Sequence, residues 1–126
     1  MPPPEYIPGV CNIGDVEIKQ RKRIGWIGLI FTVLIWLKLE ALQIFGPWRL
    51  ILFIPAAISA TGFLQGLMHF CAGFGMQGVF NFGPKLYKTD TVSQAEFRAQ
   101  DRKKAITILS YSILIGVAIT TIAYLI

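Results

Sequence analysis

The sequence predicts an all-α integral membrane protein with three transmembrane helices, forming a single membrane domain over residues 1–126. Hydrophobic residues make up 54% of the chain and charged residues only 15%, whereas soluble domains have about 25% charged residues. Three apolar stretches, at about 24–45, 50–68 and 105–126, approach or exceed the roughly 20 residues that a helix needs to cross a bilayer. Most basic residues lie beside these stretches, as is typical of membrane proteins.

The chain begins with a proline-rich arm, residues 1–11, which holds four of the seven prolines. Because proline lacks an amide hydrogen and disfavours helix in the residue before it, this arm is expected to be extended. Asn12 is a suitable N-cap, so helix 1 is predicted over residues 12–45. Its charged first part is predicted to extend out of the membrane, and residues 24–45 form the first span.

The connection between the first two spans carries charged and aromatic residues that are typical of a membrane interface. Lys38 and Glu40 are placed in the outer turns of helix 1, where long side chains can reach water. Trp48 and Arg49 are expected at the interface itself. Helix 2 then follows over residues 50–68.

Small residues recur four positions apart in the second and third spans. Gly62 and Gly66 form such a pair in the second span, and Ser112 and Gly116 form one in the third. This spacing lets helices approach closely. Both faces are therefore predicted to be interaction sites.

Residues 69–84 contain four phenylalanines and four glycines, with His69 as the only ionisable side chain besides Cys71. The glycines do not favour a helix and the aromatic residues do not favour a solvated loop, so the segment is predicted to lie in the membrane interface or to dip back into the bilayer against protein. A polar linker continues to residue 92. The segment is also the predicted main interaction surface, with Phe74, Gly75 and Gly78 as its central residues. If the arm covers this surface, three arm residues are expected to contact it: Tyr6, Ile7 and Val10.

Helix 3 is predicted over residues 93–126 without a break. The run from Ser93 to Glu96 has the form of a capping box. The charged first part is predicted to extend from the membrane on the same side as the start of helix 1. The apolar part, from Ala105, forms the third span.

The basic residues predict the orientation. With three spans, residues 1–23 and 69–104 share one side and contain ten of the twelve Lys and Arg residues. The positive-inside rule makes this side cytoplasmic and places the C-terminus on the other side of a cell membrane, of the bacterial inner-membrane kind. Anionic lipid headgroups are expected to bind six of the basic residues, namely Arg21, Lys22, Arg23, Arg102, Lys103 and Lys104.

Cys11, His69 and Cys71 are the only soft metal ligands in the chain. Thiolate and imidazole suit zinc, copper or iron, but a closed zinc site needs four ligands. His69, among phenylalanines, also suits an axial ligand to haem or a pigment, or a residue that caps helix 2. The more common role of such residues is packing, so no cofactor is expected, and haem, pigment or metal binding remains the alternative.

No strong catalytic motif is present, so we expect a non-enzymatic accessory or scaffolding subunit of a larger membrane complex. Its expected partners are other membrane subunits or a second copy, together with anionic lipids. Nucleic acid is not expected, because the basic residues adjoin apolar stretches. Two alternatives stay open: a metal- or cofactor-binding subunit that uses His69 and Cys71, and a small oligomeric transporter.

Overall fold

The computed structural model describes residues 6–126, most of which are helical. Three helical stretches are long and apolar enough to cross a membrane. They are α1 (Asp15–Ala41), a 3₁₀ helix (Gly46–Leu52) that continues into α2 (Phe53–Met68), and α4 (Ala95–Leu125). Between α2 and α4 lie a short helix, α3 (Ala72–Gln77), and an antiparallel pair of strands, β1 (Val79–Phe80) and β2 (Asp90–Thr91). The prediction of a mostly helical chain with three long apolar helices is therefore confirmed.

The ends of α1 differ from the prediction. The helix begins at Asp15 rather than at Asn12, because the Asn12 side chain binds the backbone of Cys71 and is not available as an N-cap. It ends at Ala41, four residues before the predicted end. Gln43 adopts a left-handed conformation, with φ of 54°, which is incompatible with a continuing helix.

Helix α4 is continuous, as predicted, and its 31 residues span about 46 Å at about 1.5 Å per residue. The predicted capping box does not form. Gln94 is the N-cap, and no side chain caps the first turn. Arg98 instead donates to the carbonyl oxygens of Val92 and Ser93, which ties the start of α4 to the chain before it.

The segment 69–84 contains a helix where none was predicted. Helix α3 forms despite its glycines because one face is buried, at Ala72, Phe74 and Gly75. A Cβ atom on Gly75 would lie 2.9 Å from the backbone oxygen of Asp101, so glycine allows α3 to lie directly on α4. Tertiary packing thus outweighs the low helix propensity.

The described part of the arm is also not simply extended. Ile7 and Cys11 pair through two backbone hydrogen bonds of 2.9 Å, which closes a tight turn over the residues between them. Residues 1–5, which carry three of the arm's prolines, lie outside the described part of the chain.

Helix α2 lies at the centre of the bundle and packs against both α1 and α4. Glycines set the close approach to α1: a Cβ atom on Gly62 would lie 2.5 Å from the backbone nitrogen of Gly25. Within residues 6–126, α1 and α4 make little direct contact with each other. We call the end that holds the start of α1 the N-terminal end of the bundle, and the opposite end the C-terminal end.

Candidate docking surface and the polar contacts beneath it

A buried ion pair joins Glu17 and Arg21 on the first turns of α1. Their closest atoms, Arg21 Nη1 and Glu17 Oε2, lie 2.9 Å apart, and both side chains are at most 5% exposed. Arg21 Nη2 also donates to Cys71 Sγ over 3.1 Å. The guanidinium carbon lies 5.4 Å from the ring centre of Phe74 and 5.5 Å from that of Tyr87, so two aromatic rings flank the cation.

The same ion pair fixes an exposed loop, which we name the Tyr87 loop (residues 81–89). Glu17 Oε1 accepts hydrogen bonds from the side chain of Asn81, over 3.1 Å, and from the backbone N–H of Tyr87, over 2.5 Å. Tyr87 has a φ of 61°, a left-handed conformation that is unfavourable for an aromatic residue. The contacts of Glu17 and Arg21 therefore hold Tyr87 in a strained conformation, although 58% of its surface is exposed.

The Tyr87 loop carries the features of an interaction site. Leu86, beside the tyrosine, is 41% exposed. A pocket of about 250 Å³ is lined by other residues of the loop, including Asn81, Lys85 and Lys88, but not by Leu86 or Tyr87. One short loop, whose conformation is fixed by contacts with Glu17, thus carries an exposed aromatic residue, an exposed aliphatic residue and two lysines. Tyrosine is among the residues that most often contribute to binding energy at interfaces.

The arm lies against the segment that follows α2. The Asn12 side chain accepts from the backbone N–H of Cys71, over 2.7 Å, and donates to its carbonyl oxygen, over 3.1 Å. The ring of Tyr6 stacks on Phe80 with ring centres 5.1 Å apart. The predicted contact of Tyr6 with segment 69–84 is therefore confirmed.

Asp101 on α4 holds the other side of the arm. Its two carboxylate oxygens accept from the Tyr6 hydroxyl and from the Gly9 backbone N–H, over 2.5 and 2.8 Å. Burial, the hydrogen bond to Asp101 and the negative charge of Asp101 all raise the pKa of Tyr6. The phenol therefore stays protonated at neutral pH and remains the donor in this contact. Ile7 and Val10, in contrast, are about half exposed.

The three soft ligands, Cys11, His69 and Cys71, have separate contacts in the structure. Cys11 Sγ donates to the Ile13 carbonyl oxygen over 3.6 Å, and burial raises the pKa of the Cys11 thiol. Cys71 Sγ contacts Arg21. His69 is exposed and occupies the C-cap of α2 in a left-handed conformation. Within residues 6–126, no three His, Cys, Asp or Glu side chains lie close enough together to hold a metal ion.

The small residues predicted as interaction sites contact other parts of the same chain. Added Cβ atoms would meet Lys22 at Gly66, and Phe53 and Ala57 at Gly116. A Cβ atom on Gly78, which has a φ of +72°, would meet the Arg98 side chain. The remaining members of the set are also buried within the chain: Gly62, Phe74, Gly75 and Ser112. Their interaction with a partner chain stays a prediction, although their packing faces are already occupied.

This packing predicts a contrast between two glycines of α3. Gly75→Ala is expected to lower the free energy of unfolding by about 1–3 kcal/mol, a typical effect of overpacking, because the new methyl group would lie 2.9 Å from the Asp101 backbone oxygen. Gly73→Ala is the matched control, since its nearest neighbour is Cys71 Sγ at 3.8 Å. Thermal unfolding of both variants in detergent measures the difference, and equal stability would contradict the assigned packing of α3 on α4.

Of the six residues predicted to bind lipid headgroups, Arg21 does not fit that role. It is only 4% exposed because it pairs with Glu17. Four of the other five residues are exposed, and Lys104 is half-buried. The exposed four are Lys22, Arg23, Arg102 and Lys103.

At the C-terminal end, Arg49 is fully buried and is not an interface residue as predicted. Its guanidinium donates to the carbonyl oxygens of Ile44 and Ala123, over 3.1 and 2.7 Å. It also pairs with Glu40 over 2.6 Å and lies 4.6 Å from the ring centre of Phe45. One side chain thus connects the end of α1, the 3₁₀ helix and the end of α4.

Together, the observations define a chain with three helical stretches long and apolar enough to cross a membrane, and with an exposed loop fixed by a buried ion pair at its N-terminal end. Apart from the paired atoms of Glu17 and Arg21, only the indole nitrogen of Trp36 lacks a hydrogen-bond partner among the buried side-chain nitrogens and oxygens of residues 6–126. No protein-family model, curated protein or solved structure matches the chain.

Proposed function

We propose that this chain is a non-enzymatic accessory or scaffolding subunit of a larger membrane complex, and that it binds a partner protein through the Tyr87 loop. The observation that carries the proposal is the strained conformation of Tyr87. Backbone strain in an exposed aromatic residue persists only where surrounding contacts enforce it, and such strain is concentrated at functional sites. Here a buried ion pair enforces it.

The free-energy cost of burying the Glu17–Arg21 ion pair supports the proposal that the Tyr87 loop binds a partner. Removing two charges from water costs several kcal/mol per ion, and the pair recovers this only with good geometry and further hydrogen bonds. Glu17 directs one oxygen to the Tyr87 backbone and the other to Arg21. A loop held in advance loses less conformational entropy when it binds, which increases affinity.

Catalytic and transport functions have less support. Within residues 6–126, the buried charged side chains are Glu17, Arg21, Arg49 and Asp101. Each of them already has an ion-pair or hydrogen-bond partner within the chain. None is left as an evident acid, base or ion-binding group along the apolar spans. A stable scaffold is the function that such internal pairing suits best.

The proposal includes an orientation, with the Tyr87 loop and the chain's start in the cytoplasm, because ten of the twelve basic residues lie on that side. A reporter enzyme that is active only outside the cytoplasm is expected to work when fused after Ile126 and to fail when inserted at Thr89. The reverse pattern would show that the loop faces the other compartment. In this orientation we expect the exposed residues Lys22, Arg23, Arg102 and Lys103 to bind anionic lipid on the cytoplasmic leaflet.

Tyr87→Ala tests the docking surface. Loss of a central aromatic residue typically weakens binding by about 2 kcal/mol or more, which corresponds to roughly thirtyfold. Co-purification of partner chains with a tagged protein is expected to fall accordingly, while the amount of tagged protein in the membrane stays the same. A photoreactive amino acid at Leu86 is expected to cross-link the same partner that co-purifies.

Tyr111→Ala is the matched control, because Tyr111 is 51% exposed but lies in the apolar part of α4. It is expected to keep the partner. If both tyrosine variants retain the partner equally, the Tyr87 loop is not the docking surface. If both lose it equally, binding depends on the spans instead.

A further inference from the structure

Two lysines give the Tyr87 loop a positive charge that the fold does not neutralise. Lys85 and Lys88 are both exposed, and both line the same pocket, together with one acidic residue, Asp90. Among residues 6–126, neither lysine takes part in an ion pair. The described lining of the pocket therefore carries two positive charges and one negative charge, and both positive charges are free to bind an anion from outside.

The surface around the loop is also positive. In residues 6–23 and 69–104, seven exposed residues are basic and three are acidic. The basic residues are Lys19, Lys22, Arg23, Lys85, Lys88, Arg102 and Lys103, and the acidic residues are Asp15, Asp90 and Glu96. The other two carboxylates of these ranges, on Glu17 and Asp101, are buried. A surface with this charge attracts an acidic partner and disfavours a basic one.

The position of the loop relative to the predicted membrane favours a protein over a lipid as the acidic partner. The Tyr87 N–H donates to the side chain of Glu17, and Glu17 lies seven residues before Ile24, the predicted start of the first span. Seven helical residues extend about 10 Å, whereas the headgroup layer on each side of the hydrocarbon core is about 5–8 Å thick. With α1 in a membrane, Tyr87 lies near or beyond the outer limit of the headgroups, whereas Lys22 and Arg23 lie among them.

We propose that the partner bound by the Tyr87 loop presents an acidic segment, a proposal that rests on the docking function above. Carboxylates of this segment pair with Lys85 and Lys88, and an apolar side chain between them packs beside Leu86 and Tyr87. Exposed ion pairs contribute little affinity individually. The lysines therefore select the partner and speed its approach, whereas the tyrosine provides most of the binding energy.

A fluorescent peptide with two glutamates on each side of a leucine tests the proposal on the full chain in neutral detergent. The unmodified protein is expected to bind it about tenfold more tightly than the same peptide with glutamines in place of the glutamates. Lys85→Gln combined with Lys88→Gln is expected to remove this preference. Raising the ionic strength from about 0.1 M to about 1 M shortens the Debye length from about 10 Å to about 3 Å, and is expected to remove it as well.

Lys19→Gln combined with Lys38→Gln is the matched control, because it removes the same net charge from two other exposed lysines. A spacing of two residues places Lys19 about 200° around α1 from Glu17, on the face away from the loop. This control is expected to keep the preference for glutamates. Equal loss in the two double variants would overturn the proposal, because the preference would then reflect net charge alone. Equal affinity of the unmodified protein for the two peptides would also overturn it.

A second experiment separates an acidic peptide from anionic lipid. Native mass spectrometry of the chain, purified from vesicles of phosphatidylcholine and phosphatidylglycerol, is expected to show the same phosphatidylglycerol retention with and without the substitutions at Lys85 and Lys88. Lower retention in the variant would assign these lysines to lipid headgroups and overturn the proposal. The docking function is tested separately by Tyr87→Ala. If that variant loses the partner but no preference for glutamates exists, docking stands and only the acidic partner is wrong. If it keeps the partner, both proposals fail.

Discussion

Replacing Arg49 with alanine is expected to lower the free energy of unfolding by about 3–5 kcal/mol, because the truncation leaves a cavity and two carbonyl oxygens without their partner, at about 1–3 kcal/mol for each lost partner. The guanidinium is fully buried and donates to the Ala123 carbonyl oxygen, close to the end of α4. The last four carbonyl oxygens of a helix have no partner within the helix. Arg49 satisfies one of them, and its charge opposes the negative end of the helix dipole.

In this variant, the C-terminal end of the bundle is therefore expected to open at a lower temperature than the rest of the bundle. Thermal unfolding in detergent measures the stability, and hydrogen exchange along α4 measures where opening begins. Arg49→Lys is the charge-conserving comparison, and it is expected to recover only part of the loss because lysine cannot reach three acceptors in the same planar arrangement. Glu40→Gln is expected to have a smaller effect, because the glutamine amide oxygen can still accept the hydrogen bond from Arg49. A fully stable Arg49→Ala variant would contradict the assigned role.

Arg49 also illustrates what the sequence could and could not predict. Its neighbours, a glycine, a proline and a tryptophan, are typical of an interface turn, and the apolar runs on both sides correctly predicted helices long and apolar enough to cross a membrane. Two of its three acceptors lie on Glu40, nine residues earlier, and on Ala123, 74 residues later. Hydropathy reports the environment of a stretch of chain. It does not report which side chain turns inward to meet a carbonyl group elsewhere.

The Glu17–Arg21 pair, at the N-terminal end of the bundle, shows the same limit of prediction from sequence. Glu17 and Arg21 are spaced as a helix-surface ion pair, and nothing near them in sequence indicates burial. Their burial comes from contacts with Cys71, Asn81 and Tyr87, which lie 50–70 residues away. The left-handed conformation of Tyr87 is likewise set by these contacts and not by its own propensity. Helix α3 was likewise not predictable from helix propensity. Gly75 does not favour helix formation, but it allows the close approach of α3 to α4.

The second large effect is expected at this ion pair. Arg21→Met leaves the Glu17 carboxylate buried, at 1% exposure, without its cation. The free energy of unfolding is expected to fall by about 3–5 kcal/mol. Glu17→Gln in the same background removes the unpaired charge but keeps an oxygen that can accept from Asn81 and Tyr87. The double variant is therefore expected to be more stable than Arg21→Met alone, and additive losses would contradict coupling between the two charges.

Variants of Glu17 allow the conformational restraint of the Tyr87 loop to be measured separately from the free energy of unfolding. Limited trypsin digestion reports the loop directly, because Lys85 and Lys88 lie within it. Glu17→Leu removes the acceptor for the Tyr87 N–H and is expected to speed cleavage at both lysines, whereas Glu17→Gln is expected to keep them protected. Cleavage at Lys103, inside α4, is the internal control and should stay slow in both variants. Equal cleavage of the loop in the two variants would mean that Glu17 does not hold it. Faster cleavage in Glu17→Leu, accompanied by loss of the partner that Tyr87→Ala also loses, would connect the buried carboxylate to docking through the conformation of one exposed tyrosine.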